Sequence, residues 1–226
     1  MMNTRIMFLE ELNRLRHDIL AMATRVEEDL GKALSALRNN DTELAKEVKA
    51  DDAVVNAMQL KIEDEAAIII ATQQPVARDL RELVTIFKLT GNIERIGDHT
   101  VHLAKTAIKL SGKESFQALE HLERMAETGK EMIRASISAY LAQDPEGARR
   151  AAALDDTIDA EHKALTEEVL GLMKEHPGLI KKAVRLLNTS NYLERMGDHI
   201  TNICEAIIYM TEGRHEELNE QWRQKL

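Results

Sequence analysis

The chain has 226 residues, of which 44% are hydrophobic, 31% charged and only 3% aromatic, with ten Gly and three Pro, a composition rich in helix formers and poor in strand formers and turn punctuation. Its formal charge of −9 excludes a general nucleic-acid binder and a protein held on anionic lipid, because each needs a dominant positive field. The single cysteine, Cys204, excludes an internal disulfide framework and fits a reducing compartment.

The N-terminal stretch MMNTRIMFLEELNRLR alternates charged and apolar residues and lacks the continuous apolar core of a signal peptide. A first helix is predicted from about Phe8 to Arg38, where Leu12, Leu15, Ile19, Met22, Val26, Leu30, Leu34 and Leu37 recur at steps of three and four residues. Asn39, Asn40 and Asp41 end it, and Asp41 is placed to cap a second helix running to about Thr72. The apolar run Ala66 to Ala71 falls far short of the roughly 20 residues that span a bilayer. No transmembrane segment is expected, and the chain reads as soluble and cytoplasmic. Pro75 stands near the start of a third helix, which ends around Ser111 and Gly112.

The layout then repeats, with helices predicted near Phe116 to Ala142, Pro145 to Lys174 and Gly178 to Thr211, followed by a polar tail after Gly213 expected to fray. Asp41 matches Asp144, the pair Asp51-Asp52 matches Asp155-Asp156, and Pro75 matches Pro177. The strongest match is ERIGDH at Glu94 to His99 against ERMGDH at Glu194 to His199. Short breaks make sequential helices antiparallel neighbours. The expected fold is therefore all-α: two tandem three-helix bundles, residues 1–112 and 113–226, related by internal duplication.

In the sixth helix Leu186, Leu193, Ile200 and Ile207 fall every seven residues, beside a small-residue row of Ala183, Ser190, Gly197 and Cys204. The third helix has the same row at Thr90, Gly97 and Ala104, although Leu83 at its start is large. A helix-interior Gly costs about 1 kcal/mol relative to Ala, so Gly97 and Gly197 predict close backbone approach by a neighbour. Cys204 in that row reads as a small core residue.

Glu94 with Asp98, and Glu194 with Asp198, are spaced to stack both carboxylates on one helix face. That face lies roughly 100° from the Leu-Ile seam on a helical wheel, so the acids flank the core. Arg95 and Arg195 reach Asp98 and Asp198, but neither Glu94 nor Glu194 has a basic residue three or four positions away. Each pair therefore wants a partner from outside its helix. A hard or intermediate cation such as Fe, Mn, Mg or Ca would serve, and so would an Arg or Lys from a neighbouring helix or another protein. Asp51, Asp52, Asp155 and Asp156 of the middle helices would complete a site if they face it. His99 and His199 point about 100° from their Asp neighbours and are expected to bond a nearby carbonyl or side chain. Ahead of the first motif, Gln73 to Arg81 reads QQPVARDLR. Pro75 can start the helix there, Asp79 suits its dipole, and Arg78, Arg81 and Lys88 add positive points suited to surface ion pairs. Nothing supplies a Gly-rich phosphate loop, a nucleophile with its base or a zinc thiolate set.

Taken together, QQPVARDLR, the twin hexapeptides and the doubled three-helix layout resemble the PhoU family of bacterial phosphate-uptake regulators along essentially the whole chain. The resemblance implies a non-enzymatic negative regulator of phosphate uptake and of the transcriptional response to phosphate starvation. It implies an adaptor between the ATPase of the phosphate ABC transporter and a sensor histidine kinase, and a homodimer. It also implies a divalent or trivalent metal ion (Fe, Mn, Zn, Mg or Ca) at Glu94, Asp98, Glu194 and Asp198, with Asp52 and Asp156 beside them, and partner binding through Arg78, Asp79, Arg81 and Lys88. The second repeat has EHPGLIKKA in place of QQPVARDLR, so the halves are not expected to bind partners alike. The competing readings are a carboxylate-bridged metal enzyme and a metal-free helical scaffold. Against the enzyme, di-iron bundles place Glu-x-x-His pairs inside the bundle, whereas the only such pair here, Glu212 and His215, lies at the polar tail.

Overall fold

A computed structural model describes residues 2–110 and 118–218. Seven α-helices are present among them: α1 Met2–Asn39, α2 Thr42–Gln73, α3 Ala77–Leu110, α4 Ala118–Ala142, α5 Pro145–Ala152, α6 Asp155–Glu175 and α7 Ile180–Glu212, with a short 3-10 turn at Pro177–Leu179. The expected end of the third helix at Ser111 and Gly112, the boundary after Gly112, the start of the fourth helix at Phe116 and most of the tail lie outside the described residues.

Local chemistry sets the breaks. The Asp41 carboxylate accepts from the amides of Glu43 and Leu44 at 3.1 and 3.0 Å, capping α2 as expected. Asp144 holds the same place before α5 but makes no cap bond, and its carboxylate meets Arg150 at 3.3 Å instead. At the far end of α2, Gln74 turns left-handed (φ 46°) and returns its amide to the Ile70 carbonyl.

One expected element is divided. The fifth predicted helix, Pro145 to Lys174, is interrupted at Ala153 and Leu154, where the Leu154 amide bonds Ala151 and the Thr157 amide bonds Leu154. These shorter-range bonds tighten the chain locally into a 3-10 turn. The turn delivers Asp155 into the interior, where it is 7% exposed.

Each repeat is a three-helix bundle: α1, α2 and α3 pack on one another, and so do α4, α5 with α6, and α7. The predicted seam is fully buried, with Leu186, Leu193, Ile200 and Ile207 all at 1% exposure or less. Each such side chain contributes roughly 1.5–3 kcal/mol by leaving water. The bundles join through α3 on α7 and α1 on α4, in one hydrophobic core.

Cross-repeat contacts come in matched pairs. Asn92 of α3 bonds His199 of α7 at 3.0 Å, and at the mirrored place His99 of α3 lies against Tyr192 of α7, ring centroids 5.6 Å apart. His99 and His199 themselves stack at 5.4 Å. On the other joint, Arg38 holds Glu123 and Arg134 holds Glu27, both at 2.7 Å, so α1 and α4 run antiparallel. The repeats are thus related by a pseudo-twofold axis.

The core also aligns the middle helices: Val55, Ile62 and Ala66 of α2 occupy the positions of Ile158, Leu165 and Val169 of α6, all buried. On this alignment Asp52 corresponds to Asp155. The sequence match of Asp51-Asp52 with Asp155-Asp156 is therefore shifted by one residue.

The two motif glycines do different work. A methyl group on Gly197 would fall 1.9 Å from the Asp155 carboxylate and 3.3 Å from Ile158, whereas one on Gly97 would meet Val55 at 3.5 Å and Val26 at 3.7 Å, ordinary contacts. A close approach is made in the second repeat only, and there by the side chains of Asp155 and Ile158 rather than by backbone. Gly197→Ala should therefore lose about 1–3 kcal/mol by overpacking. Gly97→Ala should be neutral or gain up to about 1 kcal/mol through helix propensity. Urea unfolding of both variants measures the contrast, and equal destabilisation would contradict it.

Candidate functional site

The acids of the two motifs stand half-buried beside the core, as the helical wheel requires. In the first repeat Arg95 reaches Asp98 at 3.1 Å and also touches its neighbour Glu94 at 3.6 Å, so Glu94 is less isolated than its spacing predicts. Glu94 nevertheless has its pKa raised, first by burial and then by the charge of Asp98, with Asp52 adding to the effect. Asp52 is raised in the same way, by burial and by Asp98. Asp52, Glu94 and Asp98 thus form one acidic face, short of positive charge. Asp51 belongs elsewhere. Arg25 binds it at 2.5 Å and holds its pKa down.

The second repeat concentrates more acid. Asp155 has its pKa pushed up from 3.8 to about 7, by burial first and then by Asp159, Asp198 and Glu194. One of its oxygens has no hydrogen-bond partner and the other meets the Thr201 hydroxyl at 3.4 Å. Asp156, the residue expected to join Glu194 and Asp198, is exposed. It lines a cleft of about 660 Å³ together with Asp159, His162 and Glu194. Asp159 is the acid that sequence reasoning left out of the site, and Asp155, named there only among the middle-helix acids that could complete it, takes the place expected of Asp156. Their signal was legible, since they repeat on α6 the one-turn spacing of Glu194 and Asp198 on α7. The first repeat has Asn56 where the second has Asp159, so its acidic face is one carboxylate poorer.

Among the described residues no group of three His, Cys, Asp or Glu side chains converges closely enough to hold a metal ion. The donor chemistry still fits a hard cation, because the available groups are carboxylates that raise one another's pKa. The histidines are not part of that donor set. His199 bonds Asn92, as expected of it, but both ring nitrogens of His99 are buried without a partner, contrary to expectation. Stacking holds His99 instead. Burial and the neighbouring His199 lower its pKa to about 4, which keeps it neutral.

The QQPVARDLR stretch is largely occupied within the molecule. Asp79 pairs with Arg5, Arg78 donates to the Gln143 side chain, and Arg81 reaches the Met210 carbonyl at 3.4 Å. Lys88 lies over the Tyr209 ring, 5.4 Å from its centroid. Between them Glu82, 3% exposed, accepts from Nε and Nη2 of Arg16 at 2.6 and 2.8 Å. The stretch therefore ties α3 to α1, α4 and α7. Of the residues expected to bind partners, Arg78 and Lys88 are exposed and Asp79 and Arg81 half-buried.

The model of the PhoU domain matches residues 19–107 and again 122–207. The chain belongs to the PhoU family. A phosphate-specific transport system accessory protein PhoU homolog of Clostridium acetobutylicum is 33% identical over 96% of this chain and its own full length. A homolog of the same description from Pseudomonas putida is 34% identical over 91% of this chain and 81% of its own. Among solved structures, PhoU from Pseudomonas aeruginosa matches with a TM-score of 0.87 at 33% identity, covering 92% of this chain and all of that one. The phosphate transport system regulatory protein PhoU from Streptococcus pneumoniae matches at 0.88 and 31%, covering 93% and 100%. Each family repeat contains one hexapeptide and the middle-helix acids that face it, so both acidic faces fall inside the PhoU domains.

The raised pKa of Asp155 has a definite sign. Folded protein binds the proton more tightly than unfolded protein, so across the window from 3.8 to about 7 this group makes stability fall as pH rises. Asp155→Asn should remove that contribution. With metal chelated, the variant should gain stability relative to the parent chain as pH climbs through the window, read as the difference in urea midpoints. A constant difference would mean that Asp155 titrates normally.

Proposed function

We propose that this PhoU-family chain is an accessory protein of phosphate-specific transport that restrains uptake and keeps the phosphate-starvation response off when phosphate is plentiful. The observation that carries this reading is the doubled PhoU domain spanning nearly the whole chain, shared with relatives named as accessory proteins of that system. The role is that of a cytoplasmic adaptor between the transporter ATPase and a sensor histidine kinase. The reading assigns no catalysis to this chain, and it is supported at Cys204, whose thiol is buried with its pKa pushed up to about 12 by that burial and so stays protonated at neutral pH. Among the described residues no helix is long and apolar enough to cross a membrane, in keeping with a partner that docks on membrane complexes from the side.

Metal binding is the second half of the proposal. Glu194, Asp198, Asp155 and Asp159 would hold a divalent or trivalent ion in the second repeat, with Asp156 at the rim, and Asp52, Glu94 and Asp98 would do so in the first. Such an ion would supply positive charge to acids that now oppose one another, stiffening the face presented to a partner. The partnerless oxygen of Asp155 favours the second repeat as the tighter site. Of the four residues expected to bind partners, Arg78 and Lys88 are the exposed cations.

Deleting the gene should release alkaline phosphatase expression and phosphate uptake in high-phosphate medium, and restoring it should repress both. No change in either would sink the regulatory reading. For the metal, protein purified without a histidine tag should carry Fe, Mn, Zn, Mg or Ca by elemental analysis, and Glu194→Ala with Asp198→Ala should lose it. Negligible metal in both would favour the bare scaffold.

A further inference from the structure

The polar tail, expected to fray after Gly213, is folded back on the molecule as far as Leu218. Gly213 turns left-handed (φ 74°) and returns its amide to the Tyr209 carbonyl at 2.9 Å, ending α7. The chain then runs back along the helix. The Leu218 amide donates to the Glu205 carboxylate at 2.8 Å, about two turns before the end of α7, and the Leu218 side chain packs on the core. Between these points His215 lies flat on the Tyr209 ring, centroids 4.4 Å apart and planes 8° from parallel. Glu216 accepts from Nε and Nη2 of Arg149 in α5 at 2.9 and 2.7 Å, and Glu212 accepts from the same Nη2 at 3.1 Å.

These contacts are mostly ionic or ring on ring, since Leu218 is the one large apolar residue from 213 to 218. Partly exposed ion pairs are weakened by water and salt, so the tail is closed without being locked. The surface beneath it joins the two repeats. Arg149 comes from α5 and Tyr209 from α7, while α3 supplies Arg81 and Lys88. A methyl group on Gly213 would stand 3.5 Å from the guanidinium carbon of Arg81, and Lys88 lies over the Tyr209 ring. Neither Arg81 nor Lys88 pairs with an acid among the described residues. The first repeat has no such surface. On the alignment of Asp52 with Asp155, Lys46 stands for Arg149, and on that of the hexapeptides Lys109 stands for Tyr209.

We propose that Arg149, Tyr209, Arg81 and Lys88 form an acceptor surface for an acidic segment bearing a flat ring, and that the chain's own tail occupies it as an internal competitor. The tail shows the chemistry the surface takes: a carboxylate on the Arg149 fork and a ring on Tyr209. It satisfies the surface incompletely, because Arg81 and Lys88 are left without a carboxylate. An incoming acidic segment that supplies acids to all three cations therefore displaces the tail. That such a segment belongs to a protein of the transport or signalling system rests on the regulatory reading; the acceptor surface itself does not.

The probe is a fluorescein-labelled synthetic peptide of residues 212–218, titrated with the full-length chain and read by anisotropy. In the parent chain the tethered tail, at an effective concentration of roughly millimolar, should keep the peptide out. Opening the tail by Glu216→Lys with Leu218→Ser should let the peptide bind about tenfold more tightly or better, with helicity by circular dichroism unchanged. Adding Arg149→Ala to the opened chain should abolish that gain, while adding Lys163→Ala on α6 should not. Hydrogen exchange reads closure in the parent directly: the Leu218 amide should be protected, and Arg149→Ala alone should speed its exchange about tenfold. Equal peptide binding by parent and opened chains, binding indifferent to Arg149→Ala, or a Leu218 amide that exchanges freely in the parent would each overturn the proposal. None of these measurements involves alkaline phosphatase or phosphate uptake, so a failed regulatory reading would leave them standing.

Discussion

The antiparallel crossing of α3 on α7 is the constraint to which the rest of the molecule answers. Each of these helices must satisfy its own bundle and the opposite repeat at once, and the hexapeptide does this by spending successive residues in different directions. At about 100° per residue, Gly97 turns to Val55 and Val26 of its own bundle, Asp98 turns to the acidic face, and His99 turns to α7. Gly197, Asp198 and His199 divide the same labour against α6, the second acidic face and α3. The motif is thus a way of setting three environments around one helix turn.

Because both sides of the crossing use the same letters, the central contact is symmetric and the departures from symmetry accumulate at the periphery. Val55 against Gly97 leaves room for a methyl, while Asp155 against Gly197 leaves none. The second repeat thereby gains a buried carboxylate that the first has only in the shallower Asp52. Asp159 in place of Asn56 adds charge to the same spot. The first repeat spends its own distinctive stretch, QQPVARDLR, on ties to α1, α4 and α7. An acid-rich face in one half and a cross-braced helix start in the other are different uses of one duplicated unit.

The fold was legible because periodicity and breaks are local. The seam of Leu186, Leu193, Ile200 and Ile207 and the cap Asp41 can be read without knowing what they touch. The divided fifth helix was not, since Ala153 and Leu154 are unexceptional residues and the turn depends on where Asp155 fits. The site was half legible: a one-turn spacing finds Glu94 with Asp98 and Glu194 with Asp198, but choosing between Asp155 and Asp156 needs the packing register, which the buried Ile158, Leu165 and Val169 fix only in three dimensions. His99 was misread for the same reason. Its wheel position gives a direction, and only the presence of Tyr192 and His199 there explains stacking in place of a hydrogen bond.

Duplication also bears on how such a molecule can associate. A fused pair of bundles buries α3, α7, α1 and α4 at its own centre and turns the middle helices, α2 and α6, outward. Were both outer sides apolar and complementary, each copy would offer two equivalent docking surfaces, and head-to-tail contacts that do not close build open chains. Lys163, Glu167 and Lys174 on α6 stand where α2 has Leu60, Asp64 and Ala71, so the outward sides of the two middle helices differ in charge although the central crossing is symmetric.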